Sequence, residues 1–245
     1  MIPKRYENAS YDDVPQDIKK AFEKIRETRK GLYIHGGVGT GKTHIAYALH
    51  KKWEEDREKE IKKRNDTQEN YRNFKNEKED KIKEEEGVNK EYTNYGEYSE
   101  RRKKSMERIE NEILSFEKWL KQEKTSEPIK TRPISNFVGI TKLFTLMRGQ
   151  MNDPNKNEKD KLHNRMMESE KLYFIDDLGT EKTTEWVSEM FYMIINQKYE
   201  DEIPMIFTSN YSLGQIAGKS GVRIVSRIRE MCDVFEIKGE DKRIK

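Results

Sequence analysis

Residues 36–43 read Gly-Gly-Val-Gly-Thr-Gly-Lys-Thr, directly after an apolar Leu32-Tyr33-Ile34 and directly before a helix-forming run, His44-Ile45-Ala46-Tyr47-Ala48-Leu49. Strand, glycine-rich loop and helix in that order make a phosphate-binding loop. Glycines let successive backbone N–H groups turn inward at the start of a helix whose dipole favours negative charge. Gly36, Gly37, Val38, Gly39, Thr40, Gly41, Lys42, Thr43 and the following His44 are therefore the expected contacts of a nucleoside triphosphate. Lys42 would reach the β- and γ-phosphates, and the Thr43 hydroxyl would hold Mg²⁺. A glycine-rich turn that binds nothing would not need the strand before it and the helix after it.

The remainder of the chain alternates strand and helix patterns. Ile18, Ala21, Phe22 and Ile25 fall on one face of an early helix. Beyond Pro133, strands are expected at Ile134 to Val138, Leu172 to Ile175, Ile203 to Thr208 and Val234 to Ile237. Helices are expected at Ile140 to Arg148, at Thr184 to Glu200, and as a pair ending near Arg229. Gly149 to Asp160, with Asp153-Pro154, reads as a loop. Alternation of this kind implies an α/β fold, a parallel sheet flanked by helices, with its site at the carboxyl ends of the strands.

Composition matters for one segment. The chain as a whole is 33% hydrophobic and 39% charged, with a net charge of only +3. The apolar deficit is concentrated in residues 54–127, where more than half of the side chains are charged and the signs nearly balance. The expected division is a nucleotide-binding core of 1–53 and 128–245 interrupted by a charged helical insertion, 54–127. Helical pieces are expected over 44–86 and 97–124, broken near Gly87 and at Thr93-Asn94-Tyr95-Gly96. Met106, Ile109, Ile113, Phe116 and Leu120 form a heptad seam on the second. An antiparallel hairpin is the preferred reading. A charge-rich segment with one amphipathic helix and disordered flanks is the competing one. The lone Cys232 fits a reducing compartment, and no stretch approaches the ~18 apolar residues of a membrane span, so a cytoplasmic location is expected.

The strand Leu172 to Ile175 runs into Asp176-Asp177, which supplies what a magnesium–nucleotide site needs opposite its phosphate loop. Asp176 is expected to orient Mg²⁺ and its waters, and Asp177 to polarise the attacking water. Ser209-Asn210, at the end of the next strand, would hydrogen-bond the same water or the γ-phosphate.

Gly36 to Ala46, Leu172 to Gly179 and Phe207 to Asn210, taken in order, resemble the AAA+ ATPases of the helicase-loader group. That group includes the DnaC/DnaI-type loaders of bacterial replicative helicases and the ATP-binding helpers of insertion-sequence transposases. Asn8-Ala9-Ser10-Tyr11 resembles the lead-in that the group places near adenine. The resemblance implies a P-loop NTPase (AAA+) fold and casts Asn210 as the nucleotide-sensing asparagine. It makes Arg223 and Arg227 the arginines of the conserved helix. Arg227 would be the finger reaching a neighbouring subunit's γ-phosphate, and Arg243 would contact nucleotide in cis. A solvated helix face is the competing reading of the two helix arginines. Asp177 stands where many AAA+ enzymes have Glu, which implies slow hydrolysis. The insertion stands where the group has none, and only about thirty residues precede the first strand.

The function implied by this resemblance is a homo-oligomeric ATPase switch that loads a replicative ring helicase onto single-stranded DNA. The alternative is a transposase helper acting on duplex DNA, which the core motifs alone do not separate from it. A non-hydrolysing interaction module fits less well, because Asp176, Asp177, Asn210 and Arg227 are all present. A small-molecule kinase would need an arginine-rich lid and would lack the asparagine strand motif.

Overall fold

The computed structural model describes residues 2–87, 103–104, 107–109, 111–118, 134–151, 157 and 161–242. The chain divides into two compact units, Met1–Glu55 with Pro133–Lys245, and Asp56–Arg132.

In the first unit, five strands form one sheet: β1 (Gly31–Gly36), β2 (Ser135–Gly139), β3 (Leu172–Leu178), β4 (Met205–Ser209) and β5 (Cys232–Ile237). Their order is β2-β3-β4-β1-β5, and every pairing is parallel. Parallel neighbours require crossovers, and helices supply them. α1 (Gln16–Glu23) and α2 (Ile25–Thr28) precede β1, and between the strands in chain order lie α3 (Lys42–Gly87), whose residues from Asp56 belong to the second unit, α4 (Ile140–Met151), α5 (Leu162–Met167), α6 (Glu185–Glu200), α7 (Leu213–Ser220) and α8 (Val222–Met231).

The two-residue period of the strands feeds two cores. Leu32, Ile34, Leu172, Phe174 and Ile206 pack with Ile18, Phe22, Ile45, Leu49 and Trp53 of α1 and α3. Tyr33, Tyr173, Ile175, Met205 and Phe207 pack with Phe144, Phe191, Ile194 and Ile228 of α4, α6 and α8. Burial on both faces explains why β3 and β4 read as unbroken apolar runs. More than three turns into α3, the helix is tied to the sheet edge, where Glu54 Oε1 accepts the Ser135 N–H at 2.8 Å and the Ser135 hydroxyl. Helix starts follow their capping chemistry: Thr184 Oγ1 accepts from Val187 N at α6, and Ser212 and Gln215 form a capping box at α7.

Among the described residues the expected strands and helices of this unit are present, with ends moved by up to three residues, except that the early helix breaks at Lys24 and Ile25 opens the separate α2. The helix α5 was not foreseen. At six residues, α5 is too short to show a 3.6-residue period.

In the second unit the residues of α3 from Asp56 onward are helical to Gly87, and residues 111–118 are helical. Phe116 stacks on Phe74 and Tyr71, at ring centroids of 4.7 and 6.0 Å. The Tyr71 hydroxyl donates to Glu117 at 2.8 Å, and Lys78 pairs with Glu112. Contacts 71–117 and 78–112 run in opposite chain directions, so these helical residues pack antiparallel. Thr93 to Gly96, Met106, Leu120 and Asp153-Pro154 lie outside the described residues. Among the described residues no helix is long and apolar enough to cross a membrane.

Candidate nucleotide site

β1 ends at Gly36, and the loop from Gly37 to Gly41 turns into α3. Gly39 and Gly41 hold φ of +76° and +99°, which only glycine adopts without strain. Lys42 is buried, and its Nζ donates to the carbonyls of Gly36 at 3.0 Å and Gly37 at 2.6 Å. Thr40 Oγ1 donates to the Gly37 carbonyl at 2.9 Å. This loop opens on a cavity of about 650 Å³ lined by Val38 to Ile45, Asp177 and Asn210. Arg5, Tyr6, Asp13 and Pro15 line it as well, as do Ile237, Lys238 and Lys242. Its volume lies within the range of small-molecule sites.

Opposite the loop, the end of β3 comes within bonding distance. Thr43 Oγ1 donates to Asp176 Oδ1 at 3.0 Å, and Thr208 Oγ1 donates to the same oxygen at 2.5 Å. The Asp177 N–H in turn donates to Thr208 Oγ1 at 3.0 Å. Between Ile175 and Leu178 the register of β3 against β4 is irregular, and Asp177 takes a φ of +58°. A bulge of this kind re-aims side chains at a strand end. It leaves Asp176 on Thr43 and turns Asp177 into the cavity. Burial raises the Asp176 carboxyl above its ordinary value, with the Thr208 hydroxyl pulling it back and the neighbouring Asp177 charge adding to the rise.

Among the described residues no group of three or more His, Cys, Asp or Glu could hold a metal by itself. A hydroxyl and one carboxylate side by side suit Mg²⁺ instead, which keeps waters and takes phosphate oxygens for its remaining ligands. Thr43 and Asp176 are the residues that would hold it.

No protein-family model matches the chain, and no curated protein matches its sequence. Solved structures do match its fold. The crystal structure of the DnaC helicase loader aligns over 96% of this chain and 100% of its own length, at 21% identity and a TM-score of 0.53. DnaI aligns over 99% of this chain and 94% of its own, at 18% identity and a TM-score of 0.52. AMPPCP-bound DnaA from Aquifex aeolicus aligns over 96% of this chain but 52% of its own, at 16% identity and a TM-score of 0.51. The chain shares the α/β P-loop NTPase fold of these structures. At such identities the likeness is one of fold.

Within that fold, the residues expected at the site do not all line the cavity: Gly36 and Gly37 do not, and their carbonyls instead accept from Lys42. Gly39 to Thr43, Val38, His44, Asp177 and Asn210 all line the cavity, while Asp176 lies beneath it on Thr43. His44 Nε2 lies 3.3 Å from the Asp13 carboxylate, which joins the N-terminal segment to the first turn of α3. Ser209 is a correction. It is fully buried, donates its hydroxyl to the Leu178 carbonyl at 2.7 Å and accepts the Tyr211 N–H, so it shapes the strand end and does not face the cavity. The lead-in is a second correction: Arg5, Tyr6, Asp13 and Pro15 reach the cavity, whereas Asn8 to Tyr11 do not line it.

Arg223 and Arg227 do not line this chain's cavity. Arg227 lies along α6, where its Nε donates to Asn196 Oδ1 at 2.7 Å and a terminal nitrogen donates to the Tyr192 hydroxyl at 3.2 Å. Its guanidinium stands over the Tyr192 ring at 4.9 Å. Arg223 is exposed one turn earlier. Arg243 lies outside the described residues. Besides the cavity-lining residues of the N-terminal and C-terminal segments, sequence reasoning missed Thr208, which bridges both aspartates. Its signal was faint: a hydroxyl residue closing an apolar strand just before Asn210.

Proposed function

We propose that this chain is an ATP-dependent AAA+ switch that loads a replicative ring helicase onto single-stranded DNA. The observation that carries the nucleotide part is the 3.0 Å contact of Thr43 with Asp176 beneath a cavity shared by Lys42, Asp177 and Asn210. Support for the loading part is the fold shared with the DnaC helicase loader over nearly the whole of both chains.

In this reading Lys42 exchanges its two loop carbonyls for the β- and γ-phosphate oxygens, and Thr43 with Asp176 holds Mg²⁺. Bound magnesium supplies charge neutralisation of the phosphates. Asp177 orients and polarises the attacking water, and Asn210 reads the γ-phosphate from β4. Arg227, displayed away from its own cavity, serves a neighbouring copy's γ-phosphate, where a guanidinium stabilises charge as it develops. ATP thus favours the homo-oligomer, and slow hydrolysis releases it.

The deciding experiment mixes the protein with the ring helicase from the same source, labelled single-stranded DNA and ATP, and follows helicase retention on the strand. Loading that needs ATP, and that Lys42→Ala abolishes together with nucleotide binding, is the expected result. ATP-dependent capture of a transposase on duplex DNA, with no effect on the helicase, would replace this reading with the helper role.

A further inference from the structure

β5 delivers a short C-terminal segment onto the glycine-rich loop. Ile237 closes the strand beside Gly36 in sheet register. Further on, the Lys242 N–H donates to the Gly39 carbonyl at 3.1 Å. The Asp241 carboxylate packs so tightly on Gly39 that a methyl group added there would lie 1.6 Å from its Oδ1. Lys242 Nζ lies 3.8 Å from the point where a Gly41 Cβ would stand. Both Lys238 and Lys242 line the 650 Å³ cavity. Lys238 also pairs with Glu236 at 3.7 Å, in a solvated contact too weak to hold it back.

We propose that Lys242, assisted by Lys238, is a second phosphate clamp that grips the α- and β-phosphates from the C-terminal segment. The proposal rests on the nucleotide reading of the cavity and adds residues that the loop motif does not contain. The backbone of a phosphate loop cradles the α- and β-phosphates, while its lysine reaches the β and γ. Lys242 stands over the Gly39–Gly41 stretch, and so belongs to the former pair. An ammonium on a four-carbon stem adapts to either oxygen without fixed geometry. Asp241 sits against the same stretch with the opposite charge and opposes a phosphate arriving there. Two adjacent residues of one segment therefore act on the ligand with opposite signs.

That pairing makes the test specific. Fluorescent ATP and ADP analogues are titrated against the full-length protein, Lys242→Ala, Lys238→Ala/Lys242→Ala, Lys242→Arg and Asp241→Asn, with thermal melts run in parallel. Lys242→Ala is expected to weaken ATP and ADP alike by about tenfold. The double variant weakens them further, Lys242→Arg recovers most of the loss, and Asp241→Asn tightens both. Unchanged affinity in the alanine variants overturns the clamp while leaving the nucleotide reading intact. Weakening by Asp241→Asn as well as by Lys242→Ala assigns the segment a packing role, and a loss confined to ATP moves the contact to the γ-phosphate. Wild-type protein that binds neither nucleotide overturns both readings.

Discussion

Asp176 is costly to keep ionised where it stands. Burial is the largest influence on it, and it lifts the carboxyl above 3.8 despite the hydroxyls of Thr208 and Thr43 and the charge of Lys42. A raised carboxyl binds protons in the folded state that the unfolded chain has released, so its contribution to stability falls as pH rises from 3.8 through the raised value. Asp176→Asn removes the penalty and keeps an oxygen to accept from Thr43 and Thr208. Thermal melts are expected to show the variant more stable than wild type near pH 7.5, with the gap narrowing as pH falls toward 4. Magnesium-dependent ATP turnover should be lost at the same time. A variant less stable than wild type at neutral pH would show that the carboxylate is stabilising after all. Asp177 is set by its backbone. Its φ of +58° is a left-handed conformation that costs most side chains about 1–2 kcal/mol and that Asn tolerates nearly as well as Asp. Asp177→Asn should therefore fold and bind ATP normally while single-turnover hydrolysis falls by roughly 10²–10⁴-fold. Hydrolysis at the wild-type rate would remove Asp177 from the role of water-orienting base.

At the scale of elements, what could be read from the chain depends on whether a feature is local in sequence. The phosphate loop, the apolar strand ending in two aspartates and the asparagine after β4 are each contained in a few consecutive residues, and each stands at the cavity or directly beneath it. Thr208, the inward-turned Ser209 and the lysines beyond β5 depend on strand register and on which chain end meets which loop, and no residue spacing encodes those. Lys198 shows the same limit. In sequence it is one more charged residue on an amphipathic helix. In the fold it is fully buried in α6, with its Nζ donating to the carbonyls of Met167, at 3.2 Å, and Ser169 just past α5. Burial brings its ammonium down to about 8. Between that value and 10.5 the unfolded chain holds more protons than the folded one, so this group adds stability as pH rises through the window. Lys198→Met leaves two carbonyls without their donor and is expected to cost about 1–3 kcal/mol. Denaturant melts at pH 8 and pH 10 check both statements, because the difference from wild type should be larger at the higher pH. A variant as stable as wild type at both would show that other donors satisfy those carbonyls.

For the whole molecule, the question is whether the ATPase core needs the charged segment to fold. Among the described residues, all five strands, both apolar cores and every residue lining the 650 Å³ nucleotide cavity belong to the first unit. The two points at which the chain leaves and re-enters that unit are tied together, because Glu54 Oε1 accepts the Ser135 N–H at 2.8 Å. Closing a short loop between ends already held side by side costs little, since loop entropy grows only with the logarithm of length. Trp53, the last large apolar side chain of α3 within the core, packs on Phe22 at a centroid distance of 5.9 Å and would be kept. Replacing residues 57–131 by a short glycine–serine linker is therefore expected to yield a folded protein. Its thermal midpoint should lie within a few degrees of wild type, and its affinity for fluorescent ATP within about threefold. The aromatic stacking among Tyr71, Phe74 and Phe116 lies within the charged segment's own unit. If helicase loading disappears while ATP binding survives, the segment is the partner-recognition element. Failure of the shortened chain to fold would show that the sheet draws stability from residues outside its own unit.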